Sequence, residues 1–460
     1  MMGRRVLAEP LFYTFRLEDH VPRNHLLRAV DQLLDTAFVR QVMVPHYSAI
    51  GRPSIDPELM VRMLLIGYLY GIRSERQLCE EVHLNLAYRW FCRLGLDGPV
   101  PNHSTFSKNR HGRFRDSDLF RQVFEHIVQA CLDAGLVTGR TFAVDASVIE
   151  ADASHARKVE GKLTNWPEDE RVTRPVREYL AALDEASAAE VEAIAAKSDE
   201  PSGNAPSEPK VTSLTDPAAA WTSKGRMKVC FAYGINYLID TDAAIIVDVA
   251  ATPARWSAEV ASTKTMLQRV EERFQIVPAR LAGDAAYGSG LMIRWLMQRK
   301  IEPHVPLLDR EHQTKGFFTR AAFEFDAERN VFTCPNGKLL RSSGLVREDG
   351  TMPFLASTRD CRDCPLKRHC TKGAKRIVTR NIYQDERDKV RALQETPEFA
   401  RSVHLRKKVE MRFAHLKRHM GFRRLRLRGI SGASDEFLLA AAAQNVRKLT
   451  RLAGRRAQRR

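Results

Sequence analysis

Thr141-Phe142-Ala143-Val144-Asp145 (TFAVD) is a short apolar run closed by a carboxylate, and the texture of the chain changes there. Upstream, apolar residues recur with helical spacing; downstream they gather in runs of strand length. Val229 to Ile239, a turn at Asp240-Thr241-Asp242, and Ala243 to Ala250 read as a strand hairpin. Ala258 to Phe274 has a helical pattern, and Pro278 to Gly283 is a further short strand running into Asp284. A helix over Gly290 to Lys300 and a strand over Glu302 to Leu307 follow. This alternation predicts an α/β fold, a mixed sheet flanked by helices. Ligand sites in such sheets collect at strand ends, and both TFAVD and ARLAGD end in aspartate.

Two stretches interrupt the pattern. Residues 156–225 hold an Ala/Glu-rich helical piece, Glu178 to Lys197, and a Ser/Pro/Gly-rich linker, Ser198 to Pro209. Residues 310–384 hold four clustered cysteines. Upstream, residues 1–140 are predicted to be mostly helical. Arg23 to Val44 carries Leu26, Leu27, Val30, Leu33 and Leu34 at helical spacing. Asp56-Pro57 supplies a cap and a first-turn proline for a helix to about Tyr70. Ser74 opens a short helix to Val82, a second spans Asn85 to Leu94, and Asn102 to Thr105 starts another. Two short helices joined by a tight link are similar to a helix-turn-helix, though any small helical bundle offers such pairs.

A chain of 460 residues is too long for one ordinary domain. With 44% apolar and 28% charged residues, it can build globular cores. Spanning a bilayer takes roughly 20 apolar residues. The most apolar stretch, Met60 to Ile72, is interrupted by Arg62, Gly67 and Gly71, so no membrane partner is expected. MMGRRVLAEP has basic residues without an apolar core behind them, so a cytoplasmic protein is expected. The net charge of +17 favours a polyanionic partner. Residues 401–460 hold 18 Lys or Arg against 3 Asp or Glu. Residues 454–460 read as a solvated basic tail, but the stretch before them is patterned. Cys79, Cys92, Cys131 and Cys230 sit in apolar or helical surroundings and read as reduced core residues.

A third acidic candidate, Glu410, lies in a long helix predicted over Pro397 to Met420. At roughly 100° per residue, Arg406, Glu410 and Lys417 form a narrow stripe. It borders an apolar arc of Leu405, Val409, Phe413, Leu416 and Met420. A carboxylate there can reach a metal while the cations beside it touch phosphates. Phosphoryl transfer needs hard oxygen ligands, because magnesium prefers carboxylate and water. Singly, a strand-end aspartate is often a turn former, and an Arg/Glu pair four apart is usually a surface ion pair. The three acids in this order on this pattern point to one site.

At these residues the chain resembles a known family. TFAVDAS, LAGDAAYGSG and HLRKKVEMRFAHLKRHMGFRRLRLRG are similar to the three catalytic segments of bacterial insertion-sequence DDE transposases. The subgroup it resembles carries Tyr-x2-Arg-x3-Glu-x6-Lys in the last segment. Arg406, Glu410 and Lys417 match that spacing, while Val403 stands at the tyrosine position. GRPSIDPELMVRMLLIGYLYGIRSERQLCEEV resembles the helical N-terminal domain of the same family. The resemblance implies a ribonuclease-H-like catalytic fold in which Asp145, Asp284 and Glu410 hold two Mg²⁺ (or Mn²⁺) ions. It implies Arg406 and Lys417 on double-stranded DNA at element ends and target, cleavage followed by strand transfer, and a homodimer on DNA at the bacterial nucleoid. Tyr287, three residues after Asp284, is a candidate for positioning DNA or for plain packing.

Cys334, Cys361, Cys364 and Cys370 give C-x26-C-x2-C-x5-C, a structural zinc pattern although not a standard finger spacing. FEFDAERNVFTCPNGKLLRSS around them reads as strands about an Asn-Gly turn. In GFRRLRLRG, Arg424, Arg426 and Arg428 alternate with Leu425 and Leu427. A period of two puts the arginines on one face, as a phosphate backbone or a solvated edge strand requires.

The expected domains are therefore a helical DNA-binding region at 1–140, a first catalytic strand at 141–155 and an insertion at 156–225. The central catalytic part at 226–309 and the cysteine insertion at 310–384 follow. The glutamate helix with its basic continuation at 385–453 and a tail at 454–460 complete the chain. The alternatives are a ribonuclease-H-like metal-dependent nuclease, which cuts without joining, and a non-catalytic DNA-binding protein derived from a transposase.

Overall fold

A computed structural model describes residues 15–457, apart from 52, 162, 164–165, 167–172, 196–208, 224–227, 308–315 and 348–349. The Ser/Pro/Gly-rich linker expected at 198–209 lies almost wholly outside the described residues. Two compact units emerge. One comprises residues 1–136 with 414–423 and 435–460; the other comprises 137–413 with 424–434. The basic C-terminal stretch, expected to stay with the catalytic part, is thus divided between them.

The first unit is helical: α1 (Leu17–His20), α2 (Leu26–Leu33), α3 (Ala37–Met43), α4 (Pro57–Tyr70), α5 (Glu75–Leu84), α6 (Leu86–Phe91), α7 (His103–His111) and α8 (Leu119–Asp133). The stretch Arg23 to Val44, read as helically spaced, holds two helices. Leu34 turns extended, and Asp35 accepts the Ala37 amide at 2.8 Å, which opens the second helix. In α4, Asp56 accepts the amides of Glu58 at 2.8 Å and Leu59 at 3.3 Å, and Gly71 closes the helix at φ +70°. Residues Met60 to Leu69 are all buried, so the most apolar stretch of the sequence is a core helix. Its charge, Arg62, is buried with them and pairs with Asp31 at 2.7 Å. Such a pair persists because removing one partner would leave a charge in the core.

Asn85 ends α5 and caps α6, accepting the amides of Ala87 and Tyr88 at 2.9 and 3.2 Å. This is the tight link seen in the sequence. However, Arg89, the one basic residue of α6, is buried and donates to the carbonyls of Leu96 and Gly98, both at 2.7 Å. The helix therefore presents no outward cation of its own to a groove.

The second unit is built on β1 (Thr141–Glu150), β2 (Lys158–Glu160), α9 (Arg174–Ala195), β3 (Val211–Ser213), β4 (Ala220–Thr222), β5 (Cys230–Asp240) and β6 (Ile245–Pro253). Then come α10 (Trp256–Phe274), β7 (Arg280–Ala282), a 3-10 turn (Ala285–Tyr287), α11 (Gly290–Gln298) and β8 (Glu302–His304). The main sheet has the order β6-β5-β1-β7-β8, with β4 extending it beside the start of β5. β1 and β6 both run antiparallel to β5, whereas β1, β7 and β8 are mutually parallel. Tyr237 of β5 stacks on Phe413 at 4.8 Å, so the late helix covers that face. Strand alternation turns Gly234 and Asn236 to the opposite face, where Thr252 and α10 lie.

The cysteine region forms its own antiparallel sheet of β9 (Glu324–Asp326), β10 (Val331–Thr333), β11 (Leu339–Arg341), β12 (Thr351–Ala356) and β13 (Ile377–Asn381). Two short helices, α12 (Thr358–Arg362) and α13 (Lys367–Cys370), lie between its last strands. Gly337 takes φ +71° in the turn between β10 and β11, as the Asn-Gly pair predicts. Phe323, Phe332, Leu340, Phe354 and Val378 make a small core of its own. α14 (Gln384–Leu393), α15 (Pro397–Arg418) and α16 (Gly429–Ala457) complete the chain.

Candidate active site

β1 and β7 pair in parallel with Phe142 opposite Leu281 and Ala143 opposite Ala282. Carried two residues further, that register sets Asp145 beside Asp284. Asp145 was expected to end its strand, but β1 continues to Glu150 because β5 pairs it throughout, with Asp145 opposite Tyr237. The strand that stops is β7. Its end frees Asp284 to cap the 3-10 turn, where it accepts the Ala286 amide at 2.8 Å.

α15 brings the third acid. Val409, Phe413 and Leu416 are buried, as the apolar arc predicts. Lys408 Nζ donates to the Thr241 carbonyl at 2.6 Å and Arg412 to the Ala244 carbonyl at 2.8 Å. These bonds fasten the helix to the β5–β6 turn; the sequence reading missed both residues. Arg406 then donates from Nη1 to Asp145 Oδ2 at 3.1 Å, while its Nη2 lies 3.0 Å from Glu410 Oε1. One guanidinium thus bridges two carboxylates that are far apart in the sequence. Val403, at the tyrosine position, is partly exposed and offers no hydroxyl.

Tyr287 was a candidate for touching DNA, but only 2% of it is exposed. Burial drives its pKa well above the ordinary value, and the charges of Asp145, Glu259 and Asp284 push the same way. Glu259, on the first turn of α10, was not singled out from the sequence. A glutamate opening a helix is a common signal, and its carboxylate lies near Gly234. A side chain at Gly234 would put Cβ 2.9 Å from Thr252 Oγ1 and 3.8 Å from Glu259 Oε1.

Lys417 lies on α15 beyond Phe413, in the segment that belongs to the helical unit. Arg424, Arg426 and Arg428 are exposed while Leu425 and Leu427 are buried, so the period of two holds. The segment is nevertheless not a strand. It touches the sheet through one bridge, between Glu150 and Arg424. Asp152 pairs with Arg424 at 3.2 Å and with Arg428 at 3.0 Å.

Among the described residues no group of three or more His, Cys, Asp or Glu side chains is arranged to hold a metal ion as it stands. The donor chemistry nevertheless fits two kinds of ion. Asp145 and Glu410 already converge on one cation, the Arg406 guanidinium, and offer only hard oxygens. At the cysteine module, burial raises the Cys370 thiol, Arg376 opposes this, and the nearby Cys361, Cys334 and Cys364 raise it further. The four sulfurs therefore lie within one another's field. The Lys338 amide donates to Cys334 Sγ at 3.4 Å.

Comparison with known families gives two matches. Residues 15–112 match a family described as Transposase domain (DUF772), and residues 333–450 match one described as Transposase DDE domain. No solved structure matches the chain. The first match spans α1 to α7; the second begins next to Cys334 and runs through the Arg406–Glu410 helix into α16. With a transposase domain at one end and a DDE catalytic domain at the other, the chain is an insertion-sequence DDE transposase, a metal-dependent enzyme of DNA phosphoryl transfer.

Proposed function

We propose that the catalytic unit is ribonuclease-H-like and that Asp145, Asp284 and Glu410 hold its Mg²⁺ (or Mn²⁺). The observation that carries this reading is the shared guanidinium: Arg406 finds Asp145 and Glu410 together. The β1–β7 register adds Asp284. The strand order β6-β5-β1-β7-β8, with the parallel half carrying the aspartates, supports the fold.

When bound, the metal would supply charge for in-line attack by water, and later by a 3′-hydroxyl, on phosphate. The chain's own part is positioning and charge balance. Asp145 is held in a continuous strand and Asp284 in a capped turn, so neither carboxylate needs to search for its place. Arg406 has two donors facing these acids, and the same planar fork suits a phosphate. Lys417 and the Arg424, Arg426 and Arg428 row are assigned to the DNA backbone. The cysteine module takes one structural Zn²⁺ on Cys334, Cys361, Cys364 and Cys370, because soft thiolates select it. The chain acts as a homodimer on double-stranded DNA at the nucleoid, since joining requires two element ends.

The test is cleavage and strand transfer on DNA carrying the element ends, with Mg²⁺. Asp145→Asn, Asp284→Asn and Glu410→Gln should each lower both steps at least about 1,000-fold, as expected when electrostatic preorganisation at a reacting centre is removed. Gel-shift affinity should remain near that of the unaltered chain. Unimpaired chemistry in any of the three would remove that residue from the site.

A further inference from the structure

We propose that His304 is a positioning residue of this site: buried between β8 and α15, it accepts the Ser402 hydroxyl and so fixes where across the sheet Arg406 and Glu410 stand beside Asp145. The proposal rests on the metal-site reading above.

Ser402, Arg406 and Glu410 follow one another at four-residue spacing, so they share one stripe of α15. What each side chain reaches traces the path of the helix. Ser402 Oγ lies 2.7 Å from His304 Nδ1 on β8, Arg406 bonds Asp145 on β1, and Phe413 stacks on Tyr237 of β5. The helix thus crosses the sheet in the order of its strands, and β1 and β7 lie between its two attachments. Lys408 and Arg412 make one attachment, at the β5–β6 turn. His304 makes the other, on the edge strand. The β7–β8 register sets His304 opposite Ala282, two residues before Asp284.

His304 is 0% exposed and Ser402 3%. An imidazole placed there is costly unless its nitrogens are bonded. Both are: Nε2 lies 2.6 Å from Glu302 Oε1, which also accepts from Arg280 at 3.2 Å. A carboxylate can only accept, so Nε2 carries the proton. Burial lowers the imidazole's pKa and favours its neutral form, with Glu302 pulling the other way. Nδ1 is then the acceptor, and the Ser402 hydroxyl donates to it. Packing alone would not need this arrangement. Phe399, one turn earlier, already covers the ring with centroids 5.3 Å apart. An apolar contact can slide, whereas a hydrogen bond holds its atoms within about 0.5 Å in distance. A slip of roughly 1 Å along the helix is enough to spoil the alignment of reacting groups.

The test uses the full chain and Mn²⁺ alone as probe. Bound and free Mn²⁺ are separated by electron paramagnetic resonance well below the melting temperature of each variant, which is measured alongside. Ser402→Ala removes the donor, and His304→Leu fills the site without an acceptor. Each should weaken Mn²⁺ binding about 10-fold, the scale of a lost supporting contact. The double variant should be no worse than the weaker-binding single variant, because both break the same bond. Ser402→Ala removes one oxygen atom and carries the test on its own if His304→Leu does not fold. His304→Asn keeps an acceptor where Nδ1 stands and should bind Mn²⁺ more tightly than His304→Leu. A Ser402→Ala chain that melts earlier but binds Mn²⁺ as the unaltered chain does gives the bond a structural role alone and overturns the proposal. Equal losses in His304→Asn and His304→Leu overturn it as well. Glu410→Gln separates the two levels: if it binds Mn²⁺ as well as the unaltered chain, the site reading itself fails.

Discussion

Arg406 decides how the acidic residues can stand together. Asp145 and Glu410 are both within salt-bridge distance of it, and without a counter-charge two carboxylates so placed would repel. Lysine cannot replace it, because an ammonium is a compact charge without the planar fork. Arg406→Lys should therefore slow single-turnover cleavage by about 10-fold or more, from loss of geometry with charge retained. Equal rates would assign Arg406 a purely ionic role. Asp216 makes a different prediction. It is fully buried and accepts the Tyr233 hydroxyl at 2.6 Å. Burial raises its pKa from 3.8 to about 6, with Tyr233, the Gly429 amide and Arg428 pulling the other way. A raised pKa means that the folded chain holds this proton more tightly than the unfolded one. The contribution to stability is then complete below about pH 4 and is lost as pH rises through about 6. Asp216→Asn, neutral at every pH, should raise the unfolding free energy at pH 8 by on the order of 3 kcal/mol and change it little at pH 3. A gain of the same size at both pH values would mean that the proton is not the cause.

Local chemistry explains which elements were readable. Asp56, Ser74, Asn85 and Asn102 all cap the helices they were expected to open, because a cap needs only a side-chain oxygen and the next few amides. Asp56→Ala should cost about 1 kcal/mol in chemical denaturation. The apolar arc of α15 was equally legible, since it depends on helical period alone. What failed depends on partners distant in sequence. The length of β1 is set by β5, and the burial of Tyr287 by α10. Glu259 could not be weighed without knowing that α10 begins beside the site. The fit of Arg89 into loop carbonyls was hidden for the same reason. In the cysteine module the hairpin was readable, whereas Cys334 stands on a different strand connection from the other three cysteines. Its core holds few residues, so metal should matter to its folding. The purified chain should carry one zinc by elemental analysis. Cys364→Ser should lose it and expose the segment around Phe332 to protease. A metal-free chain with an equally resistant segment would leave the cysteines without this role.

For the molecule as a whole, formal charge overstates what is offered to DNA. Residues 401–460 hold 18 cations, but several already have partners within the fold. Lys408 and Arg412 hold carbonyls of the β5–β6 turn, Arg447 donates to the Leu69 carbonyl at 3.2 Å, and Arg406 faces two carboxylates. Asp152 draws on both Arg424 and Arg428. Binding strength should therefore track particular side chains rather than the total of +17. If each arginine of the 424–428 row neutralises one phosphate, replacing all three by glutamine should reduce the slope of log K against log salt by about 2.7. Asp152→Asn acts in the opposite sense. It removes a competing anion while leaving every cation in place, so affinity should rise, and rise more at 50 mM than at 200 mM salt, because screening weakens the term being relieved. The two results constrain each other. A triple variant with an unchanged slope would take the row off the DNA, and an Asp152→Asn chain that bound no better would show that its ion pairs persist on the duplex. Only a reduced slope in the first together with salt-sensitive tightening in the second fits arginines that exchange a carboxylate for phosphate when DNA arrives.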